Sequence, residues 1–241
     1  MVAEQINVDF GYRYTDVHCT FTFRNTLTEG ATDQLVGFPD VGAALDEMNR
    51  REPAHADSLG ERVNTSRLRD LRTLVDGQEV KSQLQFGDAH RGGKEEGTAV
   101  WSFDGKSGVR AWHTMRVSFP AGKDVKIERK YRIQNGASAL GVAFFQYTTA
   151  TGGVWNGTIG HLQVDVNLRD DLTADQLVWP GAKIKGKKLD DDVLRFATSP
   201  AQKSWQVVDA NHLRFEWTNF EPRTEPEHRG FSLCRPFSGW H

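Results

Sequence analysis

The feature that most constrains this chain is the alternation of apolar and polar residues over short segments. The clearest segment has an apolar residue at every second position, with polar residues between them: Val17, Cys19, Phe21 and Phe23. A period of two is typical of a strand that turns one side to a core and the other to water. Roughly thirteen such segments separated by close turns predict an all-β chain built of antiparallel, sandwich-like layers.

Turn formers and one apolar stripe predict the remaining organisation. Asp76-Gly77 lies between two strand-like runs and predicts a two-residue hairpin. Turn formers also gather at 134–138, which predicts two β-sandwich-like lobes, 1–135 and 136–241. The one short helix is predicted after Asp40, which would cap it, on a stripe of Val41, Ala44, Leu45 and Met48.

Composition excludes several classes of partner. The 241 residues carry 30 basic and 32 acidic side chains with no long run of one sign, so a nucleic-acid footprint is absent. The apolar stretches are far shorter than the ~20 residues that cross a bilayer, so no transmembrane segment is expected. The length is sufficient for a self-supporting core.

Known catalytic and cofactor motifs are missing from the sequence. It contains no Gly-x-Ser-x-Gly elbow, His-Glu-x-x-His, phosphate-binding loop or dinucleotide fingerprint. None of the eight histidines is paired at i,i+2 or i,i+4, and the two cysteines are far apart, so no metal site is predicted. We therefore expect no cofactor.

Some polar or reactive side chains fall in the inward phase of predicted strands. Cys19 is one of them, and either a disulfide to Cys234 or two buried free thiols fits the pattern. His113 and Arg129 are two more, and we expect neighbouring groups to satisfy them because a buried charge must be paired.

The best candidate for a ligand site is the segment 144–168, which reads as strand, displayed loop, strand. Four glycines within 152–160 allow backbone angles that would hold Trp155 and Asn156 in a fixed shape. His161 follows in the outward phase of the second strand, although an ordinary solvated histidine also accounts for it. We predict that Trp155, Asn156 and His161 bind a ligand.

Carboxylates near aromatic residues leave a second hypothesis open. Enzymes that cleave sugars use paired carboxylates about 5 to 9.5 Å apart beside an aromatic platform. The acid and base would be two of four residues: Asp40, Asp165, Glu216 and Glu221. Structural roles explain three of them better, with Asp40 as a helix cap, Glu216 on a solvated strand and Glu221 in a turn before Pro222.

Several stretches, taken together and in order, resemble a group of bacterial exported proteins classed only as a domain of unknown function. The match runs from about residue 4 to 222 and rests on these segments: Phe21-Thr22-Phe23-Arg24-Asn25, Gly37-Phe38-Pro39, Leu74 to Val80, Thr151 to Gly160, and Asn219-Phe220-Glu221-Pro222. The resemblance implies β-rich structure, a removed signal peptide and a periplasmic or extracellular location. It implies no catalytic residue.

Three hypotheses are consistent with these observations. The favoured one is an exported, non-catalytic module that binds a glycan, a peptide or an envelope partner, and it requires only an exposed aromatic patch. The alternative is a hydrolase acting on polysaccharide, which requires two carboxyl groups that converge beside an aromatic-lined cleft, at least one of them with a raised pKa. The third is a structural interaction domain, which would show a flat apolar patch and no cleft.

Overall fold

In a computed structural model of the chain, the structure describes residues 1–40, 68–86, 111–138, 142–149, 157–177, 183–184, 187–188, 205–221 and 230–236. Within these ranges the regular structure is β-strand, apart from one 3-10 turn at Ala174–Gln176. The all-β prediction is confirmed. The helix predicted after Asp40 lies outside the described residues. No helix in the described ranges has the length and apolarity that a membrane span needs.

The chain divides into two compact units. Unit 1 contains Met1–Phe21 and Gln134–His241, and unit 2 contains Thr22–Ile133. The sequence-based division into lobes at 1–135 and 136–241 remains a prediction.

Unit 1 is built on one larger sheet and one three-stranded sheet. The strands are β1 Ala3–Phe10, β2 Tyr14–Arg24, β9 Gly136–Ser138, β10 Val142–Thr148, β11 Ile159–Leu168, β12 Lys183–Ile184, β13 Lys187–Lys188, β14 Gln206–Asp209, β15 His212–Phe220 and β16 Gly230–Pro236. The larger sheet has the order β14-β15-β11-β1-β2 within this unit, and the smaller has the order β16-β10-β9. Strands β12 and β13 form a separate antiparallel pair.

The larger sheet of unit 1 is mixed rather than purely antiparallel. Strand β11 runs antiparallel to β15 but parallel to β1, with Ile6 opposite Val164 and Val8 opposite Val166. The prediction of antiparallel layers does not hold for the pair formed by β1 and β11. A parallel pair needs a long crossover connection, so its two strands come from segments far apart in sequence. Alternation within each strand says nothing about which distant strand lies beside it.

Aromatic side chains fill the space between the two sheets of unit 1. Tyr147 of β10 stacks on Phe231 of β16 with ring centroids 5.4 Å apart. Trp205, which precedes β14, contacts Phe231 at 5.7 Å and Phe215 of β15 at 5.6 Å. These contacts join the smaller sheet to the inward side of the larger one, so unit 1 is a sandwich with an apolar interior.

The strands of unit 2 form two groups. They are β3 Ala31–Pro39, β4 Arg69–Val75, β5 Gln78–Glu79, β6 Gln83–Phe86, β7 Ala111–Pro120 and β8 Asp124–Gln134. Strand β7 lies between β3 and β6, and β4 lies between β8 and β5. Phe23, at the end of β2, meets Phe119 edge to face at 5.8 Å.

The predicted hairpin at Asp76-Gly77 is confirmed. Its residues have φ angles of 49° and 81° between β4 and β5. Two consecutive positive φ angles are the signature of the type I′ turn, whose twist matches that of the flanking strands.

The inward-facing polar residues are buried as expected. In unit 2, His113 bonds to Asp40 at 3.2 Å and Arg129 lies over the ring of Phe38 at 4.4 Å. Cys19 and Cys234 are both buried in unit 1, and neither forms a disulfide bond. A disulfide that closes the chain is therefore not formed.

Gly160 marks a close approach between β11 and the first residues of the chain. Its N–H donates to Met1 O at 3.2 Å, and a Cβ atom placed on it would lie 2.6 Å from Val2 O. Backbone atoms cannot retreat as the tip of a flexible side chain can. A glycine is therefore required at this position.

We expect Gly160→Ala to lower the free energy of unfolding by roughly 1–3 kcal/mol, because the added methyl group overpacks the strand pair. Gly37→Ala is a matched control within β3, since its Cβ would meet its nearest neighbour at 3.5 Å, an ordinary contact. Chemical denaturation of both variants measures the difference. Equal losses in the two variants would contradict the steric explanation.

Candidate functional site

The candidate site lies on the outward side of the larger sheet in unit 1 and follows from the alternation of β11. Leu162, Val164 and Val166 point inward and are fully buried, so the residues between them point outward. The register then places each outward residue of β11 beside an outward residue of β15. We call this surface the polar face: His161, Gln163, Asp165 and Asn167 on β11, and His212, Arg214, Glu216 and Thr218 on β15.

His161 and Glu216 form a pair near one end of the polar face. The imidazole Nε2 lies 2.7 Å from Glu216 Oε1. Both side chains are well exposed, at 41% and 52%. The pair therefore fixes the direction of each group while leaving it accessible to a ligand.

Asp165 is the centre of the polar face and is only 8% exposed. It accepts hydrogen bonds from Gln163 Nε2 at 2.5 Å, His212 Nε2 at 2.7 Å and Arg214 Nε at 2.7 Å. Burial acts to raise the pKa of Asp165, but these three bonds and the charge of Arg214 outweigh it, so the pKa is lowered. Asp165 is thus held ionised and holds its three donors in place.

The polar network continues towards the end of β1. Asn167 donates to Asp9 Oδ1 at 2.9 Å. Arg169, just beyond β11, bonds to Asp9 and donates to Asp16 of β2 at 2.5 Å. Outward polar groups at this end of β11 are therefore linked to those of β1 and β2.

This surface offers ordered hydrogen-bond donors and acceptors. Its imidazoles, amides, carboxylates and guanidinium hold one another in fixed orientations, which reduces the entropy that ligand binding would cost. Among the described residues, no group of three His, Cys, Asp or Glu side chains is arranged to hold a metal ion. The arrangement can form several hydrogen bonds to a polar molecule.

Only one of the three predicted ligand-binding residues falls within the described chain. His161 lies on the polar face, while Trp155 and Asn156 lie outside the described residues. The strands that flank their loop, β10 and β11, belong to different sheets of unit 1. Gly157, at the end of the loop, has a φ of 81° that favours glycine.

Two of the four candidate carboxylates come together. Asp165 and Glu216 share the polar face, where Glu216 is opposite Gln163 and Asp165 is two residues further along β11. Asp40 belongs to unit 2, where it is fully buried and bonded to His113. Glu221 is partly buried immediately after β15.

The partners of Asp165 were not named as site residues from the sequence. His212 and Arg214 both fall in the outward phase of their strand. This alternation indicates that they lie on the same side of the sheet. The sequence does not give the register that places them beside Asp165. Gln163 carried the same signal, since it alternates with the buried residues of β11.

Comparisons with known proteins bear on the fold. No protein-family model matches the chain, and no curated protein matches it. A solved structure from Legionella pneumophila, named a "putative nutrient binding protein", is similar with a TM-score of 0.63 and 19% sequence identity. The alignment covers 97% of this chain and 65% of the Legionella chain. At this identity the likeness shows a shared fold.

We expect Asp165→Asn to lower the free energy of unfolding at pH 7 by about 2 kcal/mol, because hydrogen bonds to a charged acceptor are lost. The pKa of Asp165 is lowered on folding, so its contribution is complete above its ordinary value of 3.8 and is lost as pH falls through the lower folded value. Denaturation at pH 7 and at pH 3 measures the change.

Asp124→Asn is the matched control. Asp124 also bonds to an arginine, Arg24, at 2.6 Å, but both side chains of this pair are exposed. It should cost much less than Asp165→Asn, since exposed ion pairs contribute little. A cost for Asp165→Asn that is the same at pH 3 and pH 7 would contradict the account.

Proposed function

We propose that this protein is an exported, non-catalytic binding module that takes a polar ligand on the polar face of unit 1. The ligand would be a glycan, a peptide or an envelope partner. The observation that carries the proposal is the Asp165 network, in which one buried carboxylate orients three neighbouring donors on an open sheet face.

The arrangement suits recognition of a molecule with many hydroxyl or amide groups. His161, Arg214 and Glu216 are each about half exposed, and each is already held by a partner. Groups ordered before binding lose little conformational freedom when a ligand arrives. Sugars and peptides offer the alternating donors and acceptors that such a surface can satisfy.

The likeness to the Legionella protein also supports a binding role. That protein is named a "putative nutrient binding protein", and its fold matches over 97% of this chain. A third of the Legionella chain has no counterpart here, so the proposal concerns this chain and its own polar face.

We place the loop at 151–160 in the same proposal. It leads directly into β11, whose third residue is His161. Trp155 and Asn156 would then add an aromatic surface and an amide beside the polar face. Aromatic rings commonly supply much of the contact area in ligand sites.

We further propose that the protein works in the periplasm or outside the cell, after removal of a signal peptide. The motif resemblance supports this location. Fractionation of bacteria that produce the precursor would test it, and recovery of the protein only with cytosolic markers would contradict it.

A polysaccharide hydrolase remains the second candidate because Asp165 and Glu216 share the polar face. They are diagonal neighbours on paired strands, positions that lie about 7–8 Å apart, and the carboxyl groups that flank an attacking water in such enzymes are about 6.5–9.5 Å apart. However, the pKa of Asp165 is lowered, and its carboxylate already accepts three hydrogen bonds. It suits an ionised organising group better than a proton donor.

We expect Glu216→Gln to weaken binding about tenfold, because a charged acceptor is lost from the polar face. A glycan array and a peptide array identify the ligand, and titration calorimetry measures the affinity. Glu79→Gln is the matched control, since Glu79 in unit 2 also pairs with a basic side chain at 2.7 Å and is 54% exposed. It should bind as the wild type does.

A reducing-sugar assay on mixed polysaccharides separates the two candidates. The binding proposal predicts no release of reducing ends by the wild type. Release that disappears in a folded Glu216→Gln variant would establish the hydrolase instead. Equal affinity of the Glu216→Gln and Glu79→Gln variants would remove the polar face from the proposal.

A further inference from the structure

A carboxyl group lies in the interior of unit 1, on the side of the sheet opposite the polar face. Glu4 begins the inward row of β1, followed by Ile6, Val8 and Phe10. Those three residues are fully buried, and Glu4 is 2% exposed. An acidic residue thus occupies a position that the alternation of β1 assigns to the core.

The surroundings of Glu4 provide little to stabilise a negative charge. Tyr147 of β10 donates its hydroxyl to Glu4 Oε1 at 3.2 Å, and Cys19 Sγ of β2 lies 3.3 Å from the same hydroxyl. Glu4 Oε2 is buried and accepts no hydrogen bond from any described residue. One neutral donor is weak compensation for a buried carboxylate.

The other strands packed around Glu4 do not supply a described cation to it. On β11 the residue opposite Glu4 is Leu162, and the next residue of β11 that faces the interior is Val164. On β16 the charged residue is Arg235, whose register partner Ala143 is four residues from Tyr147. Arg235 instead lies over the Tyr12 ring at 4.0 Å and donates to Tyr12 O at 3.1 Å.

We propose that Glu4 is a pH-sensitive contact that keeps the sandwich of unit 1 closed while protonated and loosens it when the proton is released to solvent. The neutral carboxyl group fits an apolar interior with one hydroxyl neighbour. The carboxylate does not, so the unit opens locally to hydrate it.

The direction of the pH dependence follows from burial. Burial raises the pKa of Glu4 from 4.5 to about 8, and the hydrogen bond from Tyr147 lowers it only partly. Between these values the folded protein keeps a proton that the unfolded chain has released. Stability from Glu4 is therefore complete below pH 4.5 and falls as pH rises towards 8.

The two cysteines provide a probe that is specific to unit 1. Both lie in this unit and are buried, so the rate of thiol labelling reports its opening. The experiment compares the wild-type chain with Glu4→Gln, a neutral side chain of the same shape, from pH 6 to pH 8. Thiol ionisation affects both proteins alike and cancels in the ratio of their rates.

We expect the ratio of the wild-type rate to the Glu4→Gln rate to increase by up to about tenfold per pH unit. A ratio that stays constant from pH 6 to pH 8 would overturn the proposal.

A measurement that does not need Glu4→Gln covers the case in which that variant fails to fold. A carbon-13 NMR titration of the glutamate carboxyl groups should reveal one that is still protonated at pH 7. In Tyr147→Phe its midpoint should move upward, because the donor to the ionised form is gone. Titration of every glutamate below pH 6 would overturn the proposal.

Discussion

Unit 1 depends on strand β11, which is hydrogen-bonded on both edges. Strand β1 holds it in a parallel register and β15 in an antiparallel one, while Leu162, Val164 and Val166 are removed completely from water. A slip of one residue would move these side chains outward and bring Asp165 into the core. The same constraint that forms the interior therefore also creates the polar face.

The pKa values of two buried carboxyl groups are shifted in opposite directions on the two sides of this sheet. Asp165 is nearly buried but receives three hydrogen bonds, and its pKa is lowered. Glu4 is buried with one neutral hydroxyl donor, and its pKa is raised to about 8. Burial opposes ionisation at both positions, and the number and charge of the donors decide the result. Asp165 can therefore serve as a permanent charge, whereas Glu4 responds to pH.

Features that depend on neighbouring residues were predictable from the sequence. The alternation of β2 and β11, the Asp76-Gly77 turn and the outward phase of His161 and His212 all agree with the structure. Each depends on a local rule for backbone twist or side-chain direction.

Features that join distant segments were not predictable in the same way. The parallel pairing of β1 with β11 and the contacts of Asp165 with His212 and Arg214 require a register that no local pattern encodes. Glu4 is a different case, because its position in β1 indicates burial while its charge argues against it. In the folded chain burial prevails, and Glu4 is only 2% exposed.

The outward side of β11 and β15 is the surface that we propose receives the ligand. The most direct test is to follow the imidazole NMR signals of His161, His212 and His113 while a glycan or peptide selected from an array is added. We expect the signals of His161 and His212 to shift until the site is saturated, while that of His113 in unit 2 stays constant. Saturable binding with unchanged His161 and His212 signals would contradict it.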